Sequence, residues 1–349
     1  MNKKILRLTD GKAGHVFAID GVIAALNQEF NFDVINVDVK IRAKFLLQIM
    51  KLLIHYSWFD KCLKKNPNLL KIFYKNFSLP KEHIDLILST GGDTSYINVW
   101  LSRILNTNNI YCSGLRGLKA DYFTLLISSI RLDCNNYIIF KEAFPNKNIL
   151  KDMSKSILEF SKRENIDIND KYFVLLLGGD TGRKYEYSIQ DWKDIIDGFM
   201  YHVKKENAKA LISTSRRTGL KNETLIKEFL EPYQNDIAYT IYFNHKPEKL
   251  LGIFLPLASK IFVTEESGSM IGESLYYCKP IFTISPRKIR TDKKYNQYLE
   301  NLAGSKRIKS TKSYQLKDID LINTEFQFME NNPMEELAKE LKLHLKGIL

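Results

Sequence analysis

Short runs of apolar, β-branched and aromatic residues recur along the chain. Each is followed by a polar or glycine-bearing turn and then by a segment with helical spacing. Continuous apolar runs of this length mark parallel strands buried on both faces, because crossover helices cover both sides of such a sheet. The clearest case is Ile261-Phe262-Val263. It stops at Thr264-Glu265-Glu266-Ser267-Gly268-Ser269, polar residues with a glycine where the backbone must turn tightly. Ser267 or Ser269 is placed to cap a helix through Met270, Ile271, Glu273 and Leu275. Cys278-Lys279-Pro280 ends that helix before a second strand at Ile281–Ile284. A strand, loop, helix, strand unit leaves unpaired N–H groups at the loop, where an anion is favoured. Glu273, one turn into the helix, is positioned to meet a hydroxyl pair such as a ribose. Taken alone, the unit reads more simply as an ordinary crossover whose acidic residues suit the helix dipole.

The same alternation opens the chain. Strands are predicted at Lys4–Leu8, Asp33–Val37, Ile84–Leu88, Asn109–Cys112, Tyr122–Leu126 and Tyr137–Phe140, with helices at Val16–Leu26 and Tyr96–Leu105. The pattern breaks around Glu142–Lys151, at Phe144-Pro145-Asn146-Lys147-Asn148. It restarts with strands at Tyr172–Leu177, Ala210–Ile212 and Ala238–Tyr242, separated by helices at Ile189–Lys204, Leu220–Leu230 and Pro247–Ala258. A last helix runs from Met334 to Leu345. This predicts an α/β chain of two facing Rossmann-like doubly wound domains, 1–150 and 151–330, with a C-terminal helix over 331–349. In such sheets ligands bind beyond the carboxyl ends of the strands. Asp10–Gly14, Thr90–Thr94, Gly178–Arg183, Ser213–Thr218 and Thr264–Ser269 all fall at such ends and point to a cleft between the domains.

One segment departs from this rhythm. Over Ala43–Trp58, Lys44, Gln48, Lys51 and His55 form a narrow polar stripe on a helix that is otherwise almost wholly apolar. Such a helix is either deeply buried or lies in a membrane interface. A basic and aromatic stretch, Lys61 to Lys75, follows at once. Charge sharpens the picture: of a formal +12, Lys40–Lys75 holds nine Lys/Arg against Asp60 alone, and Arg287–Lys312 holds nine against Asp292 and Glu300. An acidic partner is expected, either ligand phosphates or an anionic membrane surface. Neither basic stretch comes with a nucleic-acid-binding motif, so no nucleic-acid partner is expected. The four cysteines are scattered without metal-like spacing and read as reduced thiols of a cytoplasmic protein. No signal peptide and no apolar run of membrane-spanning length is apparent.

The loops exclude several chemistries. None matches the P-loop pattern, none carries Gly-x-Gly-x-x-Gly after the first strand, and there is no nucleophile elbow or zinc-like His/Cys cluster. Anion recognition remains. Arg216 and Arg217 directly after a strand, flanked by Ser213, Ser215 and Thr218, suit a diphosphate, whose oxygens match guanidinium forks. Lys12 and Arg183 stand in loops of their own and add charge. A leaving nucleoside diphosphate would be neutralised there by cations and helix N-termini, with no metal and no cofactor beyond a nucleotide-sugar co-substrate. An acceptor hydroxyl needs a base, and Asp10 and His15 both qualify. Each is equally suited to fixing its loop; Asp10, at a strand terminus, has the more constrained position.

As an ordered set, Asp10-Gly11-Lys12-Ala13-Gly14-His15, Gly91-Gly92, Gly178-Gly179, Thr214-Ser215-Arg216-Arg217-Thr218 and Val263 to Glu273 resemble the mitochondrial-fission Elm-type family of plants and its bacterial relatives. The chain differs from that pattern in having Glu266 for Asp, Val16-Phe17-Ala18 for a Gln-bearing segment, and Asn244-His245-Lys246-Pro247 for an Asn-Pro-Tyr-like one. The resemblance implies a GT-B glycosyltransferase in which Arg216, Arg217, Ser267, Ser269 and Glu273 bind a nucleotide sugar and Gly11–Gly14 border the acceptor; Gly179, Arg183, Ser215, Glu266 and Met270, in or next to the same strand-end loops, complete the expected donor site. With the basic stretch, it implies an inverting enzyme acting on a lipid or lipopolysaccharide-core acceptor, cytoplasmic and peripheral on the inner membrane. The plant relatives' role in fission implies an alternative, a non-catalytic membrane adaptor.

Overall fold

The computed structural model describes residues 2–75, 77–128, 131–139, 153–182, 184–290, 293–329 and 332–348, with the backbone alone at 13, 14 and 294. Arg183 and residues 140–152, where the sequence pattern breaks, lie outside the described residues. The chain divides into two compact units, Met1–Lys147 with Asn331–Leu349, and Asn148–Glu330.

The first unit runs β1 Lys3–Thr9, α1 Ala13–Glu29, β2 Phe32–Asp38, β3 Lys40–Ile41, α2 Leu46–Leu53, α3 Ser57–Lys65, β4 Tyr74–Lys75, β5 Leu86–Thr90, α4 Gly92–Leu105, β6 Asn108–Cys112, β7 Leu125–Ser128 and β8 Tyr137–Ile139. Six of these strands form a parallel sheet in the order β2-β1-β5-β6-β7-β8. Every residue of β5 is buried, as a strand covered by helices on both faces must be. A separate antiparallel pair joins β3 to β4.

The second unit runs α5 Ser154–Glu164, β9 Tyr172–Leu176, β10 Tyr185–Glu186, α6 Ile189–Lys205, β11 Lys209–Ser213, α7 Gly219–Leu230, β12 Ile237–Ile241, α8 Leu251–Leu257, β13 Ala258–Thr264, α9 Gly268–Leu275, β14 Ile281–Ser285, β15 Lys288–Ile289, α10 Lys293–Gly304 and β16 Lys309–Lys312. Its sheet is parallel in the order β12-β11-β9-β13-β14-β16. Counted within the unit this is 3-2-1-4-5-6, the Rossmann order. The last helix, α11 Pro333–Leu345, returns to pack on α1 of the first unit, with Lys342 and Glu29 paired at 2.5 Å.

Aromatic side chains fill both cores. Trp100 meets Phe59 and Phe73 with ring centroids 5.5 and 5.6 Å apart, while Phe262 stands between Phe199 and Phe282 at 5.2 and 5.0 Å. Such pairs add on the order of 1 kcal/mol beyond the area they bury. Helix starts follow local chemistry. Ser188 and Asp191 close a capping box on α6, and Asn332 accepts from Met334 N–H with Pro333 at the first helical position of α11.

The helix predicted over Ala43–Trp58 is two helices, ending at Leu53 and restarting at Ser57. Tyr56 is extended at the junction, and the Arg103 guanidinium donates to the Ile54 carbonyl at 2.9 Å and pairs with Asp60. The turn carries Phe59 into the core against Trp100. The strand predicted at Tyr122–Leu126 starts three residues later, because Ala120–Tyr122 is a turn of 3-10 helix.

Candidate functional site

Each sheet reverses its direction of growth at one point, where the two flanking crossovers lie on opposite faces and leave a crevice at the strand carboxyl ends. In the second unit the reversal lies between β9 and β13, and in the first between β1 and β5. Four of the five loops singled out in the sequence leave those strands, and the fifth leaves β11, the neighbour of β9. Asp10 follows β1, Gly91 follows β5, Gly178 follows β9, Ser215 follows β11, and Glu265 follows β13.

In the second unit the three loops are tied to one another. Gly178 N–H donates to Thr264 Oγ1 at 2.7 Å and Gly179 N–H to Glu266 Oε1 at 2.6 Å. A Cβ on Gly178 would lie 1.7 Å from that Glu266 oxygen, and one on Gly179 would lie 2.3 Å from the Arg217 carbonyl oxygen, so both glycines are required by close approach. Thr218 Oγ1 donates back to the Gly178 and Leu177 carbonyls and accepts from Ser215 N–H. Arg217 then reaches over the glycine loop to donate to Ser267 Oγ at 3.0 Å. Arg216 and Arg217 are both exposed at this edge. Ser267 stands at the N-cap of α9 but makes no side-chain cap bond, Ser269 is exposed, and Met270 and Glu273 are half-buried in the first turns.

Glu266 is buried, with Oε1 accepting from Gly179 and Thr264 and Oε2 from the Tyr187 hydroxyl. Glu265 accepts from Tyr185 at 3.0 Å. Burial pushes both carboxyls above the ordinary carboxylate range. The glutamate pair therefore shapes the strand-end loops from within, with Ser267, Thr218 and Thr264 buried beside it, while Ser269 and the two guanidiniums are exposed.

A further carboxylate, unsuspected from the sequence, supports the arginine loop. Glu223 on α7 is fully buried and accepts from Thr214 Oγ1, Asn244 N–H, Asn244 Nδ2 and His245 Nδ1, the last at 2.9 Å. Burial works to raise its pKa, yet the hydrogen bonds from Thr214, Asn244 and His245 outweigh it and hold the group below its ordinary value. Asn244 also donates to the Ser215 carbonyl, so the network fixes the segment that carries Arg216 and Arg217. Its only signal in the sequence is a glutamate one turn into the helix after Thr218.

In the first unit Asp10 Oδ1 lies 2.8 Å from His15 Nδ1 and Oδ2 lies 2.6 Å from Lys12 Nζ, which also reaches Asp93 at 3.1 Å. Burial works to raise the Asp10 pKa, but the bonds from Lys12 and His15 prevail and keep it below the usual value. An ionised carboxylate only accepts, so His15 Nδ1 carries the proton in this bond. The imidazole lies where a side chain on Gly91 would stand, 2.3 Å from the ideal Cβ, and Gly91 itself has φ +87°, a conformation that favours glycine. The Asp10 side chain is almost fully covered and that of His15 is 30% exposed. No cluster of metal-ligating side chains occurs among the described residues.

Comparison with solved structures places this architecture. The chain is similar to the UDP-GlcNAc 2-epimerase of Methanocaldococcus jannaschii (TM-score 0.58, 13% identity, 98% of this chain and 99% of that one). It is also similar to CalG4, the calicheamicin glycosyltransferase (0.50, 8%, 100% and 95%), and to a glycosyltransferase from Rickettsia africae (0.50, 9%, 99% and 94%). The fold is thus that of the GT-B class, two Rossmann-like units in one chain. None of the curated proteins matches the sequence. The family model described as Mitochondrial fission ELM1 matches residues 142–342, and the chain belongs to that family. That match takes in Gly178, Arg217, Glu223 and Ser267, whereas Asp10 and His15 lie outside it.

Proposed function

We propose that the protein is a metal-independent, inverting glycosyltransferase that moves a sugar from a nucleotide-sugar donor to a lipid or lipopolysaccharide-core acceptor at the cytoplasmic face of a membrane. The observation that carries the donor half is the bond from Arg217 to Ser267 over the Gly178–Gly179 loop at the reversal point of a Rossmann sheet. The exposed guanidiniums of Arg216 and Arg217, with Arg217 bonded to the residue that opens α9, are a donor set matched to diphosphate oxygens. The similar structures, an epimerase of UDP-GlcNAc and two glycosyltransferases, favour a nucleotide sugar over a free nucleotide.

In this reading the acceptor hydroxyl gives its proton to His15 Nε2 as its oxygen attacks the anomeric carbon. The bond from that carbon to the diphosphate breaks on the opposite side, and Arg216 and Arg217 take up the charge growing on the leaving group. Asp10 holds the imidazole in the tautomer the step needs. Glu273 takes ribose hydroxyls, and Glu265 and Glu266 keep the loops in shape. The test is a thermal-shift screen of nucleoside diphosphates followed by assay of the matching nucleotide sugars for hydrolysis. A rise in Tm with one diphosphate and slow release of its sugar are expected; no response to any nucleotide refutes the assignment.

A further inference from the structure

The apolar segment after β3 is neither buried nor uniformly exposed, and its sides differ in kind. On α2 and its flanks Met50 and Ile54 are buried, Leu46, Leu47 and Leu53 are half-buried, and Lys44, Gln48, Lys51 and His55 form an exposed polar stripe. Between them runs a third stripe, Phe45, Ile49 and Leu52 at i, i+4 and i+7, which is apolar and open to solvent. Phe45 and Leu52 are 66% and 65% exposed. The next helix continues the theme. Trp58, Lys61 and Lys65 share the face opposite the buried Leu63, and Tyr56 lies beside Trp58 with ring centroids 6.5 Å apart. Scattered exposed hydrophobes are ordinary, but a contiguous set rimmed by one sign of charge marks a contact surface.

The charge of this surface is uncompensated. All nine Lys/Arg residues from Lys40 to Lys75 are exposed, and the only acidic residue in the stretch, Asp60, is taken by Arg103. Among the described residues none of the nine pairs with a carboxylate. The other basic stretch is different. Arg287 pairs with Asp191 and Asp194, Lys288 with Glu186 and Lys306 with Glu325. A partner of strong negative charge with an apolar layer beneath it satisfies both halves of the first surface, lysines at the headgroups and aromatic rings at their depth.

We infer that Phe45, Ile49, Leu52, Tyr56 and Trp58, with the lysines around them, are the face by which the protein docks on an anionic lipid bilayer. The inference deepens the membrane part of the proposed function and rests on that part alone. Nucleotide binding is read in a separate assay, so either can fail without the other. The chain is expected to lie on the bilayer rather than cross it; no helix among the described residues is long and apolar enough to span a membrane.

The experiment is co-sedimentation of the full chain with vesicles of phosphatidylcholine mixed with phosphatidylglycerol, against phosphatidylcholine alone. Binding is expected only to the anionic vesicles and falls as salt rises. Each basic residue at such a surface strengthens binding on the order of fivefold, so Lys61→Gln with Lys64→Gln and Lys65→Gln weakens it about a hundredfold. Phe45→Glu with Leu52→Glu abolishes it, and all these positions are exposed, so the melting temperature stays put. Lys155→Gln with Lys162→Gln, at exposed sites on α5, leaves vesicle binding unchanged. Absence of binding, or binding indifferent to both sets of changes, overturns the inference. So does a self-associated chain that Leu52→Glu turns into monomers in sedimentation velocity without any vesicle binding, since the face would then belong to a second copy.

Discussion

The Arg217 guanidinium and the Ser267 hydroxyl meet at 3.0 Å although β9 lies between the strands they follow. The contact passes over Gly178 and Gly179, and those residues have no side chains because the Glu266 carboxylate and the Arg217 backbone occupy the space. Five positions from three strand ends thus meet at one edge of the second unit's sheet.

Replacing Arg217 by Ala removes a charge-assisted donor from that edge. Nucleoside diphosphate affinity, measured by titration calorimetry, is expected to fall about tenfold to a hundredfold, in keeping with hydrogen bonds to charged groups of about 1.5–3 kcal/mol. Fold stability moves by less than about 1 kcal/mol, because the side chain is exposed. Equal loss of stability and affinity would assign Arg217 to structure.

Gly178→Ala and Gly11→Ala separate two uses of glycine. The first drives a methyl into Glu266 in a packed loop and should cost about 1–3 kcal/mol in urea unfolding. At Gly11 the added Cβ meets nothing, and the cost comes only from φ +75°, about 1 kcal/mol. The reverse ranking would mean that Glu266 does not brace the loop.

Asp10→Asn tests which member of the pair is the base. With His15 as base and Asp10 fixing its tautomer, the substitution lowers kcat about a hundredfold or more with little change in KM, and His15→Gln lowers it further. If Asp10→Asn lowers kcat further than His15→Gln does, Asp10 is the base.

His202 gives a pH prediction for the fold. It is buried on α6, its Nε2–H donating to the Leu316 carbonyl at 2.7 Å, and burial holds its pKa below the ordinary 6.5. The unfolded chain accepts a proton as pH drops through about 6.5, while the folded chain does not until lower pH. His202 therefore contributes stability above that point which is lost as the pH falls through the folded value. Urea midpoints for the native chain should decline across this window, and His202→Gln should flatten the decline.

Much of the fold was legible because parallel strands must be apolar through and through, as at Phe173–Leu177 and Ile281–Ile284. The misses have physical causes. The edge strand β16 reads Lys-Ser-Thr-Lys, and nothing apolar announces it, since its only partner in the sheet is β14. Helices α5 and α10 went unnoticed because their faces are mostly polar. At the site, the order of loops along the chain was readable, and so was the arginine pair. What the sequence hides is the direction each side chain takes. Glu266 turns inward because Tyr187 and Gly179 receive it there, Asp10 is covered because Lys12 and His15 close on it, and Glu223 is buried because Asn244 and His245 come from a different strand end to meet it.

The most direct test of the account is calorimetric titration of UDP, GDP, ADP and CDP into the native chain and into the Arg216→Ala, Arg217→Ala double variant, with no metal added and chelator present. One diphosphate should bind the native chain and lose its binding in the variant, whose melting temperature is unchanged. Binding of none of the four, or equal binding to both proteins, contradicts a sugar-donor site at this edge.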